Sequence, residues 1–176
     1  MYWRHTFIFV VLATILTGCV LVEQHADDIQ TFTLSNGVNV VLQPIDSVPV
    51  VAMNVWVHVG SKDETDETRG LAHIQEHMLF QGTDQYGPGE IYETVESVGG
   101  NLNAYTSYDQ TVYHITMPTE NMSTGLEILG SMMHEATIDQ EALDKELEVV
   151  MEEFRLRRDR PGTVLQEHLF ATAYQE

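Results

Sequence analysis

The chain has 176 residues, with 27 Asp and Glu against 8 Lys and Arg, a formal charge of −19 and a single cysteine. That balance argues against nucleic acid as a partner, because phosphate binding needs the opposite sign, and one cysteine leaves no intrachain disulfide. An acidic field of this kind favours basic peptides or simply keeps a surface solvated, and the length suits about one domain with a real core.

Arg4 and His5 precede an apolar run from Phe7 to Leu16, followed by Thr17, Gly18 and Cys19. A short basic start, an apolar run too short for a comfortable membrane span and small residues before a cut point describe a secretory signal peptide over residues 1–18. Leu16-Thr17-Gly18-Cys19 resembles the bacterial lipoprotein box. The resemblance implies that Cys19 is lipidated and anchors an exported chain to a membrane of the bacterial cell envelope, on the periplasmic side. An uncleaved signal anchor is the competing reading, since Val20, Leu21 and Val22 extend the apolar run. Residues 19–29 read as a tether, and the domain itself as 30–176.

Thr31 to Leu34 and Val38 to Leu42 are β-rich runs around Ser35-Asn36-Gly37, a hairpin signal because Asn and Gly both tolerate positive φ. After a loop punctuated by Pro44 and Pro49, alternation of Val51, Met53, Val55, Val57 and Val59 predicts a strand over 50–59, with His58 on the other parity as a surface or sheet-face residue. The acidic stretch from Ser61 to Thr68 reads as an exposed loop able to cap the next helix.

That helix, expected from Thr68 to Phe80, carries His73 and His77, one turn apart on one face, so both imidazoles can reach one metal ion. Glu76 lies at the edge of the same face, placed as a base for a bound water rather than as a third ligand. This His-x-x-Glu-His order inverts the common zinc-protease helix signature. A short helix from Glu90 to Val98, strands over Leu102 to Tyr105 and Thr111 to Met117, and a helix from Pro118 to Glu135 follow. That last helix presents Met122, Leu126, Leu129 and Met133 as its apolar face, with Thr119 or Asn121 as its cap and His134 set to interact with its dipole.

Asp139 to Asp159 reads as a helix with an apolar stripe of Leu143, Leu147, Val150 and Phe154 and a solvated face of Glu141, Lys145, Glu148, Glu152 and Arg155. Glu146 and Glu153 lie on the flank of the stripe, where a carboxylate is partly desolvated and needs a partner. Two His, one Glu and an open position make a catalytic zinc set, and the helical face selects Glu153 over Glu152 as the third ligand. Pairing of Glu146 and Glu153 with Arg157 or a lysine is the alternative. Val164 to Tyr174 reads as a last helix without a stop signal, as in a truncated product or fragment.

Four separated segments together resemble the N-terminal domain of the pitrilysin/insulinase family of zinc peptidases. They are Leu34 to Leu42; Gly70 to Phe80 with Gly82-Thr83; Gly99-Gly100 with Asn103 to Ser107; and Glu146 with Val149 to Glu153. The resemblance implies an α+β fold, an antiparallel-rich mixed sheet flanked by helices. It implies one zinc held by His73, His77 and Glu153, with Glu76 as general base and Glu146 supporting the site from outside the ligand shell. Asn103 and Ala104 are then the sheet edge on which a substrate peptide adds as a strand. It further implies a partner domain or second half, which this chain does not include. Gln75 stands where the family more often has an apolar residue. The expectation is an exported, lipid-anchored zinc metalloendopeptidase domain; the alternatives are a zinc-binding but inactive peptide-binding or assembly module requiring a partner half, and an acidic surface module in which the motif is incidental.

Overall fold

A computed structural model describes residues 29–174. The signal-peptide and lipidation readings, including Cys19, lie outside the described residues, as does nearly all of the tether. The described chain is α+β, with antiparallel strands flanked by helices, and every strand pairing within it is antiparallel. It divides into two units, 1–48 and 49–176.

The described part of the first unit, residues 29–48, contains a hairpin, β1 (Gln30–Thr33) paired with β2 (Asn39–Leu42). Its turn uses the Asn-Gly pair differently from the expectation. Only Gly37 has positive φ, at 91°. Its N–H closes a turn on Leu34 C=O at 2.9 Å, while the Asn36 carboxamide oxygen accepts from Val38 N–H at 3.2 Å. A turn followed by a left-handed glycine is the three-residue solution for hairpins.

In the second unit β3 (Val50–Val57), β4 (Asn101–Thr106) and β5 (Thr111–Pro118) form a sheet in the order β3-β5-β4. Alternation places Met53, Leu102, Tyr113, Ile115 and Met117 on its buried face, against α1 (Leu71–Met78), α2 (Glu90–Ser97) and α3 (Met122–His134). α4 (Gln140–Arg158) packs on α1, and α5 (Pro161–Ala173) packs on α4.

Two helices are rotated from the expected faces. In α3 the buried positions are Gly125, Ile128, Leu129, Ser131 and Met132, while Met122 and Leu126 face solvent. Gly125 explains the turn: a Cβ there would lie 2.2 Å from Met53 Cε and 2.7 Å from Met117 Sδ, so the bare backbone is what fits against the sheet. Neither Thr119 nor Asn121 caps α3 through its side chain; Thr119–Asn121 forms a short 3₁₀ turn instead. In α4 the partly covered positions are Ala142, Leu143, Glu146, Val150 and Glu153, whereas Leu147 and Phe154 of the expected stripe are 44% and 50% exposed. The two carboxylates lie within the covered face rather than on its flank, because α4 packs on the polar, histidine-bearing side of α1.

Candidate metal centre

α1 is shorter than expected because Gly70, at φ 89°, breaks the helical path at its start. The acidic loop does donate the cap: the Glu64 carboxylate accepts from Gly70 N–H at 2.9 Å and Ala72 N–H at 2.8 Å, satisfying free amides at the end where negative charge is favourable. Ala72, Ile74, Glu76 and Met78 are buried, so α1 is locked against the sheet with His73 and His77 on its other side. The two rings meet edge to face with centroids 4.9 Å apart. Gln75 is exposed, which is why a polar residue is tolerated there.

α4 begins at Asp139, whose side chain accepts from Ala142 N–H at 3.1 Å. Glu153 Oε2 lies 3.6 Å from His73 Nε2 and 3.9 Å from His77 Nε2. One donor atom from each of the three residues falls within 4.8 Å of the others. Glu152, which the helical face rejected, points away and pairs with Arg155 at 3.0 Å. Neither Glu146 nor Glu153 forms an ion pair with Arg157 or a lysine among the described residues.

Glu146 instead sits 2.9 Å from His77 Nδ1 and accepts from Gln81 Nε2 at 2.8 Å. An ionised carboxylate can only accept, so Nδ1 carries the hydrogen, and in the neutral ring that a metal takes the lone pair is on Nε2, the nitrogen on the Glu153 side. An imidazole lone pair facing a carboxylate oxygen without a donor between them is an arrangement a cation relieves. Two nitrogens, one carboxylate and a cleft alongside fit zinc with an open coordination position. Burial lowers the pKa of His73 from 6.5, with Glu76 opposing the shift, which favours the neutral ring a metal needs.

The site opens on a cleft of about 440 Å³ bordered by α1, α4 and β4. Phe80 stacks on Tyr92 at 5.3 Å along its wall. Burial, together with Glu146 and Glu76, raises the Tyr92 phenol, and burial followed by Glu76 raises that of Tyr113, so both remain protonated donors at neutral pH. On β4, Ser107 N–H bonds Gln110 C=O at 2.8 Å, so the alternation turns the backbone groups of Asn103 and Tyr105 toward β5 and those of Leu102, Ala104 and Thr106 toward the open edge. Ala104 N–H, on that edge, bonds the Asn103 carboxamide oxygen at 2.9 Å. His58 and His134 are exposed on other elements and take no part.

Gln81 and Thr106 have no role in the sequence reading, yet both reach the site. Gln81 follows His77 at one-turn spacing, a signal the pattern contained. Thr106 donates to the Glu76 carboxylate across a contact that no local pattern announces.

Residues 39–176 match the family described as Insulinase (Peptidase family M16). An uncharacterized zinc protease of Bacillus subtilis, YmxG, is 36% identical over 146 residues, covering 83% of this chain and 36% of that protein. A protease from Helicobacter pylori superposes with a TM-score of 0.77 at 33% identity, over 81% of this chain and 35% of that one. The first half of the periplasmic protease PqqL from Escherichia coli superposes with a TM-score of 0.69 at 34% identity, over 73% of this chain and 29% of that one. The chain spans about a third of the length of the curated relatives it matches.

Proposed function

From the premise that the chain belongs to the insulinase (M16) family of peptidases, we propose that it is the metal-bearing part of a zinc-dependent endopeptidase, holding one zinc per chain through His73, His77 and Glu153. The observation that carries the reading is the convergence of those three donors from two helices, with Glu146 against His77 Nδ1 so that Nε2 is the nitrogen left to face a metal. When bound, zinc supplies Lewis acidity, making a water nucleophilic near neutral pH and polarising a peptide carbonyl.

The protein's own groups do the rest. Glu76 lies beside the donors with one carboxylate oxygen held by Thr106. Its other oxygen has no hydrogen-bond partner among the described residues, where no buried polar side-chain atom lacks one, so that oxygen opens on the cleft. There it takes a proton from the attacking water and returns it to the leaving amine. A substrate peptide adds along the β4 edge, with Ala104 offering its backbone once Asn103 releases it, so recognition reads backbone more than side chain. The acidic chain favours basic peptides. Glu76→Gln is expected to keep zinc and lose about 10²- to 10⁴-fold in peptide hydrolysis; full activity in that variant rules out Glu76 as the base.

A second reading follows from the share of the relatives that the chain spans: a zinc-binding peptide-capture or assembly module whose hydrolysis depends on a separate partner half. Zinc bound without hydrolysis, and hydrolysis gained on adding a second half, favours it. The lipoprotein-like Leu16 to Cys19 supports export and a lipid anchor at Cys19; a Cys19→Ser variant that stays in the membrane fraction argues against the anchor.

A further inference from the structure

Glu76 is only 8% exposed, and a buried carboxylate needs a donor. Among the described residues one side chain supplies it: the Thr106 hydroxyl donates to Glu76 Oε2. Thr106 ends β4, and across the pair stands Thr111, buried, whose hydroxyl donates to Val59 C=O at 3.0 Å. The two hydroxyl oxygens are 3.3 Å apart. Because the Thr111 proton is used on Val59, its oxygen can act toward Thr106 only as an acceptor. The single Thr106 proton therefore has two acceptors within reach, and the carboxylate is the nearer and the charged one, the stronger partner. Both side chains are β-branched and stiff at χ1, so the sheet transmits its own rigidity to the contact.

Resting on the reading of Glu76 as general base, we propose that Thr106 is a positioning residue: by holding Oε2 of Glu76 from the sheet, it fixes the carboxylate plane and leaves Oε1 as the oxygen facing the cleft. Helix α1 alone fixes the Cα of Glu76, but a glutamate has three rotatable bonds beyond it, and a second anchor from a different element removes that freedom. The base is thereby registered to β4, the same strand whose open edge is offered to the peptide. Proton acceptor and peptide backbone are set by one rigid element, which is the pairing that a reaction sensitive to sub-ångström placement requires.

The test uses the full chain with Thr106→Val, which keeps the branched shape and loses the hydroxyl, and Thr106→Ser, which keeps the hydroxyl; Thr106→Ala replaces the valine variant should that fail to fold. Thermal midpoint and zinc content are measured for each. In metal-free protein labelled with ¹³C at the Glu side-chain carboxyl, the Glu76 resonance is identified by its loss in Glu76→Gln. The expected result is a shifted Glu76 resonance in Thr106→Val, restored in Thr106→Ser, with zinc content unchanged. In hydrolysis, kcat is expected to fall about 10- to 100-fold in Thr106→Val with KM unchanged, and to recover in Thr106→Ser. A Glu76 resonance identical in folded Thr106→Val and parent overturns the proposal whether or not the chain hydrolyses peptides. A shifted resonance with unchanged kcat in an active parent overturns the positioning role. Zinc bound without any hydrolysis in the parent counts against the peptidase reading of the isolated chain, and the resonance alone then decides whether Thr106 holds Glu76.

Discussion

Helices α1 and α4 both present groups to the same point in space, yet they are held in opposite ways. α1 has eight residues, four of them buried, and its start is tied down by Glu64. α4 has nineteen residues and none is buried. The orientation of α1 is fixed by apolar packing that would exist without any metal. That of α4 rests on the partial cover of Ala142, Leu143 and Val150 together with polar contacts made at the site itself, Glu146 with His77 and Gln81. Two donors are thus preset by the core, and the third is placed by a helix that the site helps to hold.

The strongest way to break this contrast is to remove core from beneath α1. Met78 is 1% exposed, and Met78→Ala is expected to cost about 2–5 kcal/mol of stability, whereas Leu147→Ala on the outer face of α4 is expected to stay within about 0.5 kcal/mol; urea midpoints of the metal-free proteins measure both. Comparable losses would mean that α4 is packed as firmly as α1. Next in size is Glu146→Ala, which frees the His77 ring and is expected to weaken zinc binding about 10- to 100-fold, read by competition with a chelating dye. Unchanged affinity would show that the α1 core alone sets the histidine.

The smallest effect is on pH. Burial lowers the His73 pKa below 6.5 in the folded chain, so protons bind the unfolded chain more readily. For the metal-free protein the stability contribution is complete above about pH 6.5 and is lost as pH falls through the depressed folded value. Urea midpoints taken down this window are expected to decline less steeply in His73→Gln, and equal slopes would place the burden on other groups.

Local pattern revealed much of this molecule. The alternation of Val51, Met53, Val55 and Val57 marks β3, and the short helix expected from Glu90 to Val98 is α2. His73, His77 and Glu76 follow from spacing within one helix. Even Glu153 was separable from Glu152 by helical face, because burial and charge pull those two residues in opposite directions. What the pattern concealed is which side of a helix meets its neighbour. α3 turned because Gly125 lets backbone approach Met53 and Met117, and a glycine adds nothing to an apolar periodicity. α4 turned because its covered face mixes Ala142, Leu143 and Val150 with the carboxylates Glu146 and Glu153, so ranking positions by hydrophobicity drew the stripe toward Leu147 and Phe154, which face solvent. Thr106 escaped for a different reason: its partner is 30 positions away, and the meeting depends on sheet register.

The Glu146–His77 contact joins positions 69 apart, with α2, β4, β5 and α3 strung between them. Anything that pins the two ends together closes a long loop, and the entropy of such closure grows with the logarithm of its length. A cation held by His73, His77 and Glu153 would therefore be a clasp on chain topology as well as a reagent, closing a loop far longer than a clip between near neighbours does.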